Sequence, residues 1–453
     1  MAVGRLAARP VPPEPAPMDP MAPNRDAPTD VSPPPDAAWL AIGERICSWS
    51  DALARHTEDS TALTRTYLTG AHHGAAGQIR TWMEEAGMQV RRDAVGNIIG
   101  RYEGERPDAP ALLTGSHFDS VRNAGKYDGT LGILLPIALV GLLHAQRRRL
   151  PHALEVIGFA EEEGVRFKST LLGSRALAGT FDTSVLGSRD EAGTTLEEVI
   201  DTAGLGFDHH DIFRAAYRPE QVLGFVEVHI EQGPVLLNAA LPVGIVTAIA
   251  GASRYMIDLA GEAGHSGTVP MDMRRDAAMA ACAMALELES YCRARSELVG
   301  TVGLLEIPHG TANVVPGRAR FSIDIRSSDD AIRLQAVADN LESFARIARE
   351  RNIEIKLTPT HEAQSVPCAQ ALQQRLEAAI EECGLPVHYL PSGAGHDAMA
   401  MARLTDVAML FVRCGNGGIS HNPKESLSAA DAGTAAAVFM RFLEEFSTPR
   451  AGA

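Results

Sequence analysis

The 453-residue sequence has no paired cysteines, no basic excess and no apolar run of membrane-spanning length. Its six cysteines (Cys47, Cys282, Cys292, Cys368, Cys383, Cys414) are scattered without a C-x-x-C spacing. That argues against a disulfide framework and fits reduced thiols in the cytoplasm. With 57 acidic against 41 basic residues, the formal charge is -16. No basic surface is left to hold phosphates, which excludes a nucleic-acid binder. An anionic substrate would need local cations to overcome that field. The longest apolar stretch, Leu131 to Leu143, is too short to span a bilayer and contains Pro136, so it reads as a buried helix. The N-terminus lacks the basic-then-apolar pattern of a secretory leader. Ser116 and Ser392 each lack a G-x-S-x-G turn, which leaves a serine nucleophile without its usual support.

What is present suits a soluble enzyme. Apolar residues make up 45% and charged residues 22%, enough for a sizeable core, and the length suggests two packed domains plus a tail. Residues 1–35 hold eleven prolines and few large apolar side chains, the composition of a disordered tail. Helical patterns follow over 38–54 and 74–86. Three near-continuous apolar strands then end in polar clusters: 111–115 before Ser116-His117-Phe118-Asp119, 153–160 before Glu161-Glu162-Glu163, and 223–228 before His229-Ile230-Glu231-Gln232. Apolar strands alternating with helices predict an α/β sheet covered on both faces, with ligands gathering beyond the strands' carboxyl ends.

From 242 to 358 the order becomes β-α-β-β-α-β, the split ferredoxin-like α+β unit, inserted between catalytic segments 36–241 and 359–447. Strands are expected at 254–260, 301–306, 318–326 and 353–357, and helices at 275–295 and 331–351. Period-2 alternation places Arg326 on the polar face of its strand, opposite Phe321, Ile323 and Ile325. After 359 a helix (371–383) and two strands (387–390, 407–412) lead to Gly395-His396-Asp397 and to Ser420-His421.

Any one of these histidines taken alone is more often structural than functional. Their recurrence with Asp119, Asp128 and Glu161 to Glu163 just after buried strands changes that. Three adjacent carboxylates repel one another unless cations neutralise them. Imidazoles and carboxylates together suit zinc, manganese or cobalt, and two such ions need a shared carboxylate and a nearby base.

The blocks GSHFDS…GKYDG, FAEEEG, VHIEQGP, GHSGTVP, TANVVPGR…DIR, GAGHDA and GISHNPKE resemble the N-carbamoyl-L-amino-acid hydrolase, β-ureidopropionase and allantoate amidohydrolase family. That family is a branch of the aminoacylase/carboxypeptidase-like two-metal hydrolases, and the resemblance runs from about residue 40 to 445. It implies a mixed-sheet catalytic domain whose inserted unit serves as lid and dimerisation domain, with two divalent ions per subunit. Asp128 would bridge them, His117 and His229 completing one site and Glu163 and His421 the other. Glu162 would be the general base, with Asp119 orienting His117 and Glu161 standing apart. His396 competes with His421 for the last ligand position; the family pattern favours His421. His265, reaching a partner subunit's site, would steady the oxyanion. Asn313 and Arg326 would hold the substrate carboxylate, and Gln232, Gly395 and His396 would complete the pocket. The histidine at 229, where broader peptidase relatives carry an acid, points to the ureido-cleaving branch. The expected substrate is a small ureido acid, allantoate first and N-carbamoyl-L-amino acids next, hydrolysed by a cytoplasmic homodimer. A metal-dependent binding protein without turnover is the non-enzymatic alternative.

Overall fold

A computed structural model describes residues 35–446. The proline-rich segment expected to be disordered lies, but for its last residue, outside them. The chain opens on α1 (Ala37–Leu53), capped by Asp36, and α2 (Gly70–Glu85), capped by Thr69. Each cap side chain accepts from the helix's first free N–H groups, which fixes the starting residue. Strands β1 (Gln89–Arg92), β2 (Ile98–Tyr102), β3 (Ala111–His117), β4 (Ala153–Phe159), β5 (Val222–Ile230) and β6 (Val243–Ile249) follow. Between them lie α3 (Leu131–Ala145) and α4 (Leu172–Leu177). A second group comprises β7 (Gly251–Ala260), β8 (Gly264–His265), α5 (Ala277–Arg293), β9 (Val299–Thr301), β10 (Leu305–Glu306), β11 (Val314–Val315), β12 (Arg318–Ser327), α6 (Asp330–Glu350) and β13 (Glu354–Ala363). The chain closes with β14 (Val366–Pro367), α7 (Gln370–Glu382), β15 (Tyr389–Ser392), α8 (Ala398–Met401), β16 (Val407–Val412) and α9 (Ala429–Glu445).

The mixed nine-stranded sheet runs β1-β2-β4-β3-β5-β16-β6-β14, with β15 also on β6. At its centre β4, β3, β5 and β16 are parallel, so their carboxyl ends share one edge. Both faces are covered. Leu112, Val226 and Leu410 join a core with α1, α2, α3, α7 and α9, while Leu113, Phe225 and Met409 pack toward α4 and α8. The run at Leu131–Leu143 is a helix buried on nearly every side, Pro136 included.

The second sheet, β10-β12-β7-β13 with β9 also on β12, is antiparallel throughout. It carries a separate core in which Ile257, Phe321 and Ile325 meet Met284 and Phe344 of the two helices. Arg320, Asp324 and Arg326 project from the other face, partnered by Asp258 and Arg254. Three details differ from expectation. β6 belongs to the large sheet, paired with β16, so the chain crosses over after Ile249 rather than at 242. The strand expected at 301–306 is two short ones, β9 and β10. The last strand does not stop before Pro359 but continues to Ala363, with a register shift between Pro359 and His361. A proline cannot donate to the ladder, and the irregularity accommodates it.

Candidate metal centre

His117 ends β3 opposite Phe159, which ends β4, and His229 lies one residue before the end of β5 opposite Phe411 of β16. Register alone therefore brings both imidazoles and the glutamate run after β4 to one edge. Asp128, in the turn before α3, faces them. Its Oδ1 is 3.5 Å from His117 Nε2 and 3.3 Å from His229 Nε2, while its Oδ2 is 3.1 Å from His421 Nε2. His421 Nε2 is in turn 3.5 Å from Glu163 Oε1. One carboxylate thus divides its oxygens between two donor sets, His117–Asp128–His229 and Asp128–Glu163–His421. In each set the potential ligand atoms lie within 4.8 Å of one another.

The surroundings aim these groups. His229 Nδ1 donates to the Ile230 carbonyl (2.8 Å), which turns Nε2 toward Asp128, where the Gly129 N–H also faces it at 3.2 Å. His117 Nδ1 is 3.2 Å from the Asp119 carbonyl oxygen and 3.4 Å from its carboxylate. Such outer contacts fix ring orientation and tautomer. Asp119 also accepts from the backbone N–H of Glu162 (3.0 Å) and Glu163 (3.2 Å), holding the glutamate turn in place. Gln232 donates to Asp128 Oδ2 at 3.0 Å. Gln232 and His421 adopt φ of 57° and 51°, a left-handed conformation that costs a side-chain-bearing residue about 1 kcal/mol. Both turn toward Asp128 from that backbone. At Gly129, φ is 67° and an added Cβ would lie 2.4 Å from the His117 carbonyl oxygen and 2.6 Å from its ring, so only glycine fits.

Charge crowding defines the centre. Burial, then the charges of Glu163, Asp397 and Asp119, push Glu162 well above the usual carboxylate range. Burial and Asp128 raise Glu163 to about 7. Burial also opposes charge on Asp128, yet hydrogen bonds from His117, His229 and His421 hold it well below its ordinary value. His421 rises to about 9 through its bond to Asp128, against the effect of burial and with help from Glu163. The pocket therefore demands positive charge. Two divalent ions in these imidazole-carboxylate sets would supply it, and the donor chemistry suits zinc, manganese or cobalt.

The other expected residues divide into two groups. Gln232, Gly395 and Arg326 line the cleft of about 750 Å3 into which His117, Asp128, Glu162, Glu163, His229 and His421 open. Arg326 crosses between the sheets: its Nε and Nη2 bind Asp324 (3.0 and 2.9 Å) and its Nη1 donates to the Gly393 carbonyl (2.7 Å). His396 does not line the cleft. It is buried, with Nε2 2.8 Å from Ser392 Oγ and its ring centroid 4.5 Å from that of His229. The chain enters α8 directly after it, which turns the side chain inward against His229 and Phe411. His265 and Asn313 are exposed on or beside the β8–β11 ribbon and also lie outside the cleft. Ser116 and Ser392 are buried, Ser116 donating to Glu227 at 2.6 Å, so neither is placed as a nucleophile.

Sequence reasoning missed Glu425, which accepts from the N–H groups of Tyr127 (2.8 Å) and Asp128 (3.1 Å) and from the Ser420 hydroxyl (2.7 Å). It also missed Glu227, buried beneath His229 with the Ala398 N–H donating to it at 3.0 Å. A lone carboxylate within the apolar run Phe225–Ile230 was the available signal for the latter.

The family model for peptidase family M20/M25/M40 matches residues 111–445. A probable allantoate deiminase of Oryza sativa subsp. japonica is 39% identical over 432 residues, covering 88% of each chain. An N-carbamoyl-L-amino acid amidohydrolase of Geobacillus stearothermophilus is 40% identical over 384 residues, covering 84% of this chain and 92% of its own. The crystal structure of a hydantoinase/carbamoylase family amidase from Burkholderia multivorans superposes with a TM-score of 0.84 at 30% identity, over 90% of this chain and 98% of that one.

Proposed function

We propose that this chain, which belongs to peptidase family M20/M25/M40, hydrolyses a ureido group on a small carboxylate-bearing substrate. The observation that carries this reading is the division of Asp128 between two donor sets with Glu162 beside them. Allantoate is the preferred substrate, with N-carbamoyl-L-amino acids and β-ureidopropionate as alternatives. The names of relatives at similar identity support both of the first two.

Bound at His117–Asp128–His229 and Asp128–Glu163–His421, divalent ions would polarise the ureido carbonyl and acidify the attacking water. Glu162 takes a proton from that water as oxygen adds to the carbonyl carbon, then delivers it to the leaving nitrogen as the C–N bond breaks. The carbamate left behind loses carbon dioxide, so each ureido group yields ammonia and carbon dioxide overall. Arg326 holds the carboxylate, and Gln232 and Gly395 line the pocket; Asn313, outside its own chain's cleft, would join them only from a second copy, as His265 would. His396, expected to touch substrate, instead backs His229.

His265 is exposed and outside its own chain's cleft, which supports its action in the site of a second copy. The unit bearing it also presents exposed Leu286, Val299, Leu305 and Leu334, apolar surface suited to a homodimer contact and to a lid role for the inserted sheet. All six cysteines are free, which supports a reducing, cytoplasmic setting. Among the described residues no helix is long and apolar enough to cross a membrane.

Ammonia release from allantoate, N-carbamoyl-L-amino acids, β-ureidopropionate and ureidoglycolate, each with added Mn²⁺ or Zn²⁺, tests the assignment. Turnover of at least one is expected. Silence across the whole panel with metal-loaded protein would overturn it.

A further inference from the structure

The cleft has two cationic banks. Arg254 and Arg326 stand on the second sheet and share one carboxylate, Asp324. Opposite them, on the catalytic unit, Arg175 of α4 lines the same cleft. Its side chain is half-buried; among the described residues no hydrogen bond or close ion pair engages the guanidinium, and the Asp182 carboxylate acts on it only from a longer range. A partly buried guanidinium left without an acceptor is costly unless something in the cleft supplies one.

The position of Arg175 is tied to the reacting centre. The chain enters α4 through Leu171 N–H donating to the Glu162 carbonyl (3.1 Å) and Gly173 N–H to the Glu161 carbonyl (3.3 Å). Arg175 is one turn further on, its N–H bonded to the Leu171 carbonyl at 2.9 Å. It is therefore held to Glu162 and Glu163 by the backbone of the catalytic unit itself, whereas Arg326 stands on the second sheet. A substrate whose carboxylate meets the Arg326 bank and whose ureido carbonyl meets the metal centre has its remaining substituent free to face the wall that carries Arg175. The guanidinium rewards an oxygen acceptor there and gives an aliphatic group nothing.

We propose that Arg175 is a specificity-determining residue that donates to an oxygen acceptor on the non-reacting arm of the substrate. It thereby selects substrates with a second ureido group over N-carbamoyl amino acids with aliphatic side chains. This rests on the ureido reading above and deepens it.

The test compares KM and kcat of metal-loaded wild-type, Arg175→Met and Arg175→Lys proteins for allantoate and for N-carbamoyl-L-leucine, with metal content and thermal unfolding recorded alongside. Wild type is expected to prefer allantoate. Arg175→Met should raise KM for allantoate roughly 10- to 100-fold, the worth of a charge-assisted hydrogen bond, while leaving N-carbamoyl-L-leucine within about twofold. Arg175→Lys, which keeps charge and bulk, should fall between the two for allantoate. An equal loss for both substrates, or no change in their ratio in either variant, overturns the inference and leaves the ureido reading standing. So does a wild type that turns over only N-carbamoyl-L-leucine. A wild type that hydrolyses neither overturns the inference together with the function it refines.

Discussion

At the scale of single residues, the proposed mechanism gives different roles to two neighbours in sequence. Glu163 lies 3.5 Å from His421 and belongs to a donor set, while Glu162 faces the cleft beside His117. Glu162→Ala should therefore keep the fold and two bound ions per chain while turnover falls about 10²- to 10⁴-fold, the usual worth of a general base. Metal analysis of the variant checks this: loss of one ion would mean that the two glutamates have exchanged roles. His117, Asp128, Glu163, His229 and His421, which the structure brings together, stood out in the sequence because each follows a buried strand or sits in a recognisable block. Glu425 did not, and for Glu227 the only local signal was a lone carboxylate in an apolar strand, which gives no role. Their importance arises from hydrogen bonds to Asp128 and Ser116, residues 297 and 111 positions away, and no local pattern records such a distance. His396 misled for a related reason. Its neighbours Gly395 and Ala394 do line the cleft, but the start of α8 turns its own ring into the core.

Elements were legible where their own periodicity sufficed. The apolar runs at β3, β4, β5 and β16 identified themselves, and so did the alternation along β12. β6 is equally apolar, yet nothing in Val243–Ile249 tells that its partner is β16 rather than the next strand in sequence. Docking between elements also carries a pH dependence. His152, just before β4, is buried with its ring 5.1 Å from that of Phe446 beyond α9. Burial pushes its pKa down from 6.5 to about 4. The unfolded chain therefore binds a proton there before the folded one does, so stability is intact above pH 6.5 and falls as pH drops toward 4. The loss attributable to this group reaches about 3 kcal/mol. Urea unfolding of metal-loaded wild type and His152→Leu at pH 7.5, 5.5 and 4.5 should show a shallower decline in the variant. Equal slopes would refute the assignment.

In the molecule as a whole, the chain crosses between the two larger sheets twice among the described residues, at Gly251 and after Ala363. Buried Arg333 fastens both. It binds Ser253 on β7, Glu362 on β13 and, at 2.9 Å, Asp330, which accepts from the Ser365 N–H. Arg326 adds a bridge to Gly393 over the cleft. A second copy is the remaining requirement of the account, since His265 lies outside the cleft of its own chain. Glu162→Ala and His265→Ala should each be nearly inactive alone. Mixed and re-equilibrated, they should recover about a quarter of wild-type activity, because half the dimers of a two-fold assembly pair unlike chains and each such dimer rebuilds one complete site. Mixtures no better than their parents would place His265 outside catalysis in trans.

The central claim, hydrolysis of a ureido group at a centre of two ions sharing Asp128, is tested most directly by metal titration. Chelator-stripped protein is titrated with Mn²⁺ while ammonia release from allantoate, or from the best substrate of the panel, is followed. Activity should be absent without metal, rise to a plateau at two ions per chain, and be lost in Asp128→Ala at every metal concentration. Full ammonia release from the stripped chain, or a metal-loaded chain that binds ureido acids without turning them over, would contradict the account.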